Sequence, residues 1–108
     1  MLEISPWKVA QVVLMSRELN RAEGELRGFI ERLNEDEQAS LVAVMWIGRD
    51  SFMADELEEA IETAKAEATA PTADYLLGSP HLSDHLENGM DALGINLADE
   101  EDELVRRG

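Results

Sequence analysis

Residues 34–48 read NEDEQASLVAVMWIG, and the two halves of this stretch carry different information. Asn34 is a helix cap, and Glu37 three residues on can return the bond in a capping box. Glu35, Asp36 and Glu37 put negative charge at the positive end of the helix dipole. From Leu41 to Ile47 the helix so opened is apolar on nearly every side. Such a helix is stable only when other elements surround it, so the segment predicts a central helix in an all-α bundle. Gly48 is expected to close it as a left-handed cap.

The flanking sequence supplies the surrounding helices. Ser5-Pro6 is a start signal, a capping hydroxyl followed by a residue whose missing N–H has no helical partner. A helix is expected from Pro6 to about Arg21, with Val9, Val12, Val13, Met15 and Leu19 as its buried stripe. Gly24 is expected to interrupt it, and Leu26, Phe29, Ile30 and Leu33 then mark a short amphipathic piece. After Gly48, a helix from about Ser51 to Ala68 has Met53, Leu57, Ala60, Ile61, Ala64 and Ala68 on one face and acids on the others. Pro71 ends it and Thr72 caps a single turn that Gly78 closes. Ser79-Pro80 repeats the start device for a last helix reaching Leu93, with Leu82, Leu86, Met90 and Leu93 as its stripe and Gly94 as its stop. No alternating strand pattern appears. The expectation is a small bundle of four main helices plus one or two short turns, a single domain over residues 1–94, followed by a flexible acidic tail over 95–108. A competing reading of the tail is a docking helix anchored by Leu97, Leu104 and Val105.

Composition limits the chemistry. The chain of 108 residues is 44% hydrophobic, enough to build one core, and it has no cysteine, which removes disulfides, thiolate metal sites and cysteine nucleophiles. No basic leader and no apolar run of membrane length is present, so a cytoplasmic address is expected. The formal net charge of −15 is unevenly spread: residues 1–33 hold five bases and five acids, whereas the rest holds four bases and nineteen acids. Phosphate backbones and anionic membranes would be repelled. A basic protein partner would be attracted.

The elements MWIGRD and TADYLLGSPHLSDHLENGMDALG carry a resemblance. Trp46, Ile47, Gly48 and Arg49, followed by Pro71, Thr72, Tyr75, Leu76, Leu77, Gly78, Pro80 and Leu82, are similar to the signature of a family of small, acidic, uncharacterised bacterial helical proteins. The likeness runs over roughly residues 25 to 94 and leaves out the first helix and the tail. It implies a bacterial helical domain and transfers no mechanism.

The candidate sites then divide by chemistry. His81 and His85 lie four apart, on one face of a helix at a spacing that can chelate Zn²⁺ or Ni²⁺, with Asp84 or Glu87 as oxygen donors. Two histidines fall short of a usual site, and no glutamate follows His81 as a helical zinc hydrolase pattern requires. Arg49, the only base between Glu35 and Lys65, is either an anion anchor or a guanidinium bonded to helix-end carbonyls, Asp50 or Asp55. No phosphate loop or nucleophile elbow is present, and no catalytic residue or cofactor is assigned. The function expected is a non-enzymatic protein-interaction module. It would bind a basic protein through Glu56, Glu59, Glu62 and the tail residues Asp99, Glu100, Glu101, Asp102 and Glu103, or bind itself as a weak homodimer. The alternative is a small-ligand or metal-binding regulator using His81 and His85. Ser5, Asn34, Gly48, Pro71, Thr72, Gly78, Pro80 and Gly94 are assigned to turns and caps.

Overall fold

The computed structural model describes residues 2–68 and 70–101, apart from the side chains of Leu19, Asn20 and Arg21. Its helices are α1 (Pro6–Arg17), α2 (Leu19–Arg32), α3 (Glu35–Gly48), a 3₁₀ turn (Ala54–Glu56), α4 (Leu57–Ala66), α5 (Thr72–Leu77) and α6 (Leu82–Ala92). There is no strand among the described residues. The chain is an all-α bundle.

α3 is its axis. Both bonds of the capping box form: the Glu37 N–H donates to Asn34 Oδ1 at 2.8 Å, and the Asn34 N–H donates to Glu37 Oε1 at 3.0 Å. From Ala39 to Ile47 no residue is more than 8% exposed, because α6, α4 and α5 cover α3 from different sides. Ser40, fully buried within this run, accepts the Glu3 N–H at 3.0 Å and so ties the N-terminal segment to the axis. Ile4 just before the Ser5 cap and Val9 in the following turn are both buried, the arrangement that fixes the entry of a chain into a helix.

Several local expectations are corrected. The first break falls at Glu18, not at Gly24, and what was read as a short piece is the fourteen-residue helix α2 with Gly24 inside it. An interior glycine costs about 1 kcal/mol, less than the gain from burying Leu26 and Ile30, each worth about 1.5–3 kcal/mol. The end of α2 is sealed from another helix: Gln38 Nε2 donates to the carbonyls of Ile30 and Leu33 at 2.8 and 3.2 Å. Ser5 stands at the cap of α1, but its hydroxyl makes no cap bond; its carbonyl receives Lys8 and Val9 instead. The expected helix from Ser51 begins only at the 3₁₀ turn, which leaves Met53 exposed. Pro71 precedes α5 as its cap residue and Thr72 is its first helical residue.

The glycines also take unexpected roles. Gly48 is the last residue of α3, and the left-handed position falls two residues later, at Asp50 with φ 66°. The Ser51 N–H reaches the Trp46 carbonyl at 2.9 Å and the Asp50 N–H reaches Ile47 at 3.1 Å, the two bonds of a Schellman ending. Gly48 serves a different need, close approach. A Cβ there would lie 1.7 Å from the carbonyl oxygen of His85 in α6, and a Cβ on Gly89 of α6 would lie 2.1 Å from the Val44 oxygen. Two glycines thus let two backbones touch. Gly78 does cap α5, with φ −83°, and the positive φ before α6 belongs to His81 instead, so Pro80 sits in the turn and not in the helix. Gly94 is left-handed as expected, with φ 80°, and completes a second Schellman ending through Ile95 and Met90 at 2.8 Å.

The core does not stop at Gly94. Residues 97–101 form a helical turn capped by Asn96, whose Oδ1 accepts the Ala98 N–H at 2.9 Å, and Leu97 is 4% exposed. Within the described part of the expected tail, Leu97 is buried and Ile95 packs against the core, while Asn96, Ala98 and Asp99 are exposed; Asp102, Glu103, Leu104 and Val105 lie outside the described residues. The apolar face of α1 is covered within the chain: Val9, Ala10, Val12 and Val13 are buried where α1 packs on α2 and α6.

Candidate functional site

Two concave surfaces flank α4, and each gathers residues from distant parts of the chain. The first is a trough of about 500 Å³ lined by Leu2, Glu3, Glu58, Ile61 and Glu62. The Glu3–Ser40 bond holds its N-terminal wall, and α4 supplies the other wall with Glu58 and Glu62 one turn apart around Ile61. Its lining is two apolar residues, Leu2 and the buried Ile61, and three acids. Lys65 reports the local field: its ammonium binds Asp36 at 2.7 Å, and its pKa is held up first by that bond and further by the charges of Glu3 and Glu62.

The acids expected to face a partner separate into distinct environments. Glu62 lines the trough. Glu59 is exposed on α4 beyond the lining residues, and Glu56 is engaged, accepting the Met53 N–H at 2.7 Å. Asp99 is exposed and Glu100 half-buried. Glu101 is an internal strut: with Glu87 it grips Arg17, whose nitrogens stand 2.8 Å from Glu101 and 2.5 Å from Glu87. Burial first, and the neighbouring Glu87 second, push the Glu101 carboxyl above its ordinary value, while Arg17 opposes them. Sequence reading missed Leu2 and Glu3 because nothing local says that the first residues return to α4. The one available sign was Ile4, an apolar residue just before the helix cap.

The second surface is a groove of about 220 Å³ lined by Val42, Trp46, Ala64, Glu67, Ala68, Ala70, Thr72 and Tyr75. Trp46 stacks on Phe52, with ring centroids 5.7 Å apart, and donates its indole N–H to the Tyr75 hydroxyl at 2.8 Å. Arg49 Nη2 approaches the same oxygen at 3.4 Å, and Arg49 Nε donates to Ser51 Oγ at 3.1 Å. The carboxylates expected to hold Arg49, Asp50 and Asp55, do not: it has no acidic partner among the described residues. Lys8, Arg17, Arg27 and Lys65, by contrast, are each ion-paired, while the exposed Arg32 shares with Arg49 the lack of an acidic partner among the described residues. Tyr75 is more exposed than a core ring.

The histidine pair is open on one side and closed on the other. His81 is mostly exposed and caps α6 in a left-handed conformation, with Nδ1 4.0 Å from Asp84. His85 meets it edge-on at 6.5 Å, and its Nδ1 is covered. Glu87, one proposed oxygen donor, is held by Arg17. Among the described residues no group of three or more His, Cys, Asp or Glu side chains is arranged to hold a metal ion. No described helix is long and apolar enough to cross a membrane.

No curated protein and no solved structure matches the chain. A family model does, over residues 23–95, a span that contains the Trp46–Arg49 element, the α5 segment and the α3–α6 crossing but not α1 or the trough's N-terminal wall. The chain therefore belongs to the family described as protein of unknown function DUF3775.

Proposed function

We propose that the chain is a non-enzymatic interaction module of the cytoplasm that receives a basic segment of a protein partner along α4. The observation that carries this reading is the trough, whose lining joins the apolar Leu2 and Ile61 with the carboxylates of Glu3, Glu58 and Glu62. Lysine and arginine fit such a surface because their methylene stems cover apolar area while their charged heads stay at a wet rim. The net charge of −15 draws a basic partner in, over a range that salt cuts to about 8 Å under physiological conditions. The Lys65 ammonium, held chiefly by Asp36, is stabilised to a lesser degree by Glu3 and Glu62, in keeping with a cation-attracting rim. A second copy of the chain is less suited to the trough, because it brings a like charge.

Calorimetric titration with a short peptide of alternating lysine and leucine tests the proposal. Binding should be saturable and should weaken as salt rises. Glu3→Lys with Glu62→Lys should reduce affinity about tenfold, each rim charge being worth up to about 1 kcal/mol. Unchanged affinity in the double variant would remove the trough from the account.

A further inference from the structure

We propose that the groove between α3, α4 and α5 is a second binding site, one that takes a small monocarboxylate whose apolar body enters the groove beside Tyr75 and whose charge meets Arg49, which stands exposed just beyond the lining residues. The argument starts from the Tyr75 hydroxyl. Its oxygen accepts the Trp46 indole N–H at 2.8 Å and faces Arg49 Nη2 at 3.4 Å, so both of its acceptor positions are occupied and its own proton points elsewhere. Arg49 has committed one further donor, Nε, to Ser51 Oγ, which leaves the Nη1 pair and one Nη2 proton free. Phenol and guanidinium thus present donors with no acceptor among them. In a chain with 24 acids, and with Asp50 next in sequence, Arg49 still has no carboxylate partner among the described residues. A planar guanidinium fork matches the two oxygens of a carboxylate, and the apolar groove beside it favours a carboxylate on an apolar body over inorganic phosphate.

The apolar part of the site sets the rest of the ligand. The Trp46 ring, fixed by its stack on Phe52, forms one wall, and Val42 with the methyl groups of Ala64, Ala68 and Ala70 leaves room that larger side chains would fill. A volume of about 220 Å³ is below the ~300–1,000 Å³ of drug-sized pockets, so it accepts one ring or one branched chain and little more. Glu67 also lines the groove and repels anions, so a carboxylate is admitted only where Arg49 offsets it and a second negative group finds no counter-charge. None of this uses the trough or its acids, so the two sites stand or fall separately.

Phenylacetate is a suitable probe, with phenylacetamide as its neutral counterpart and Trp46 emission as the readout in a Trp7→Phe background. Phenylacetate should give a saturable change with a millimolar or better Kd at neutral pH. Phenylacetamide and the Arg49→Gln variant should each bind at least tenfold more weakly. Tyr75→Phe, which keeps the ring but removes the hydroxyl, should weaken binding severalfold. Far-UV circular dichroism of each variant ensures that only folded protein is compared. The proposal is overturned if no saturable change appears up to about 10 mM, well past a millimolar Kd. It is equally overturned if phenylacetamide or folded Arg49→Gln binds as tightly as the reference pair.

Discussion

Substituting alanine at Gly48 or Gly89 should cost far more stability than a single methyl group suggests. At Gly48 the new Cβ would stand 1.7 Å from the His85 carbonyl oxygen, and at Gly89 it would stand 2.1 Å from that of Val44. A carbon and a carbonyl oxygen rest at about 3.3 Å, so α3 and α6 would have to separate by more than about 1 Å. A gap of that size forfeits a quarter to a half of the dispersion energy of the atoms it parts. Here those include Leu41, Val44, Met45, Leu86 and Met90, all fully buried. Overpacking of this kind costs about 1–3 kcal/mol and more where backbone opposes backbone, against a helix-propensity gain of about 1 kcal/mol. A net loss of about 2 kcal/mol is expected, roughly 8–16 °C in melting temperature for a domain of this size. Gly24 is the internal control, since it also lies inside a helix but has no atom within 4 Å of its would-be Cβ. Gly24→Ala should stabilise by about 0.5–1 kcal/mol. Urea unfolding followed by circular dichroism measures all three. If Gly48→Ala and Gly89→Ala behaved like Gly24→Ala, the close α3–α6 crossing would be refuted.

Asp50→Gly should stabilise the protein by about 1 kcal/mol, because glycine adopts the φ of 66° without the cost that a Cβ imposes; a drop in urea midpoint would contradict the Schellman ending of α3. Two glutamates should shape pH dependence with opposite sign. Lys8, and then the Asn34 N–H, lower the Glu37 pKa, so its contribution is present above the ordinary value of 4.5 and is lost as pH falls through the folded value. Burial raises that of Glu101, so its contribution is present below 4.5 and fades as pH rises through the folded value. Melting curves across pH should therefore show Glu37→Gln flattening the acid side and Glu101→Gln gaining relative stability toward neutral pH. Leu97→Ala should cost about 2 kcal/mol, at the low end for a buried leucine near the surface; an unchanged melting temperature would mean that the 97–101 turn is not docked. Light scattering should give the mass of a monomer, since large exposed apolar side chains among the described residues are confined to Trp7, Met53 and Tyr75.

What the sequence made legible was local or periodic. The capping box at Asn34, the unbroken apolar run to Ile47, the proline at the start of α1 and the left-handed Gly94 all express short-range backbone chemistry, and each appears where expected. Glycine, however, has two uses that look identical in sequence. Gly48 resembled a helix stop but serves a helix crossing, and the stop passed to Asp50; the difference is decided by α6, some forty residues away. Gly24 looked like a break and is merely a tolerated weak point. Long-range placement was least legible. Nothing local to Glu3 announces its position beside Glu62, and nothing local to Arg49 announces that Tyr75 will share it with Trp46. The pairing of Arg17 with Glu101 likewise depends on the turn at Gly94 bringing the following segment back onto the bundle.

The most direct test of the interaction proposal is residue-resolved: amide chemical-shift mapping by NMR during titration with the lysine-leucine peptide. The account predicts that the largest shifts fall on Leu2, Glu3, Ile61 and Glu62, that they diminish together as salt rises, and that the Tyr75 groove stays silent. Shifts spread evenly over every exposed acid, or centred on Asp99 and α6 with the trough unaffected, would contradict it.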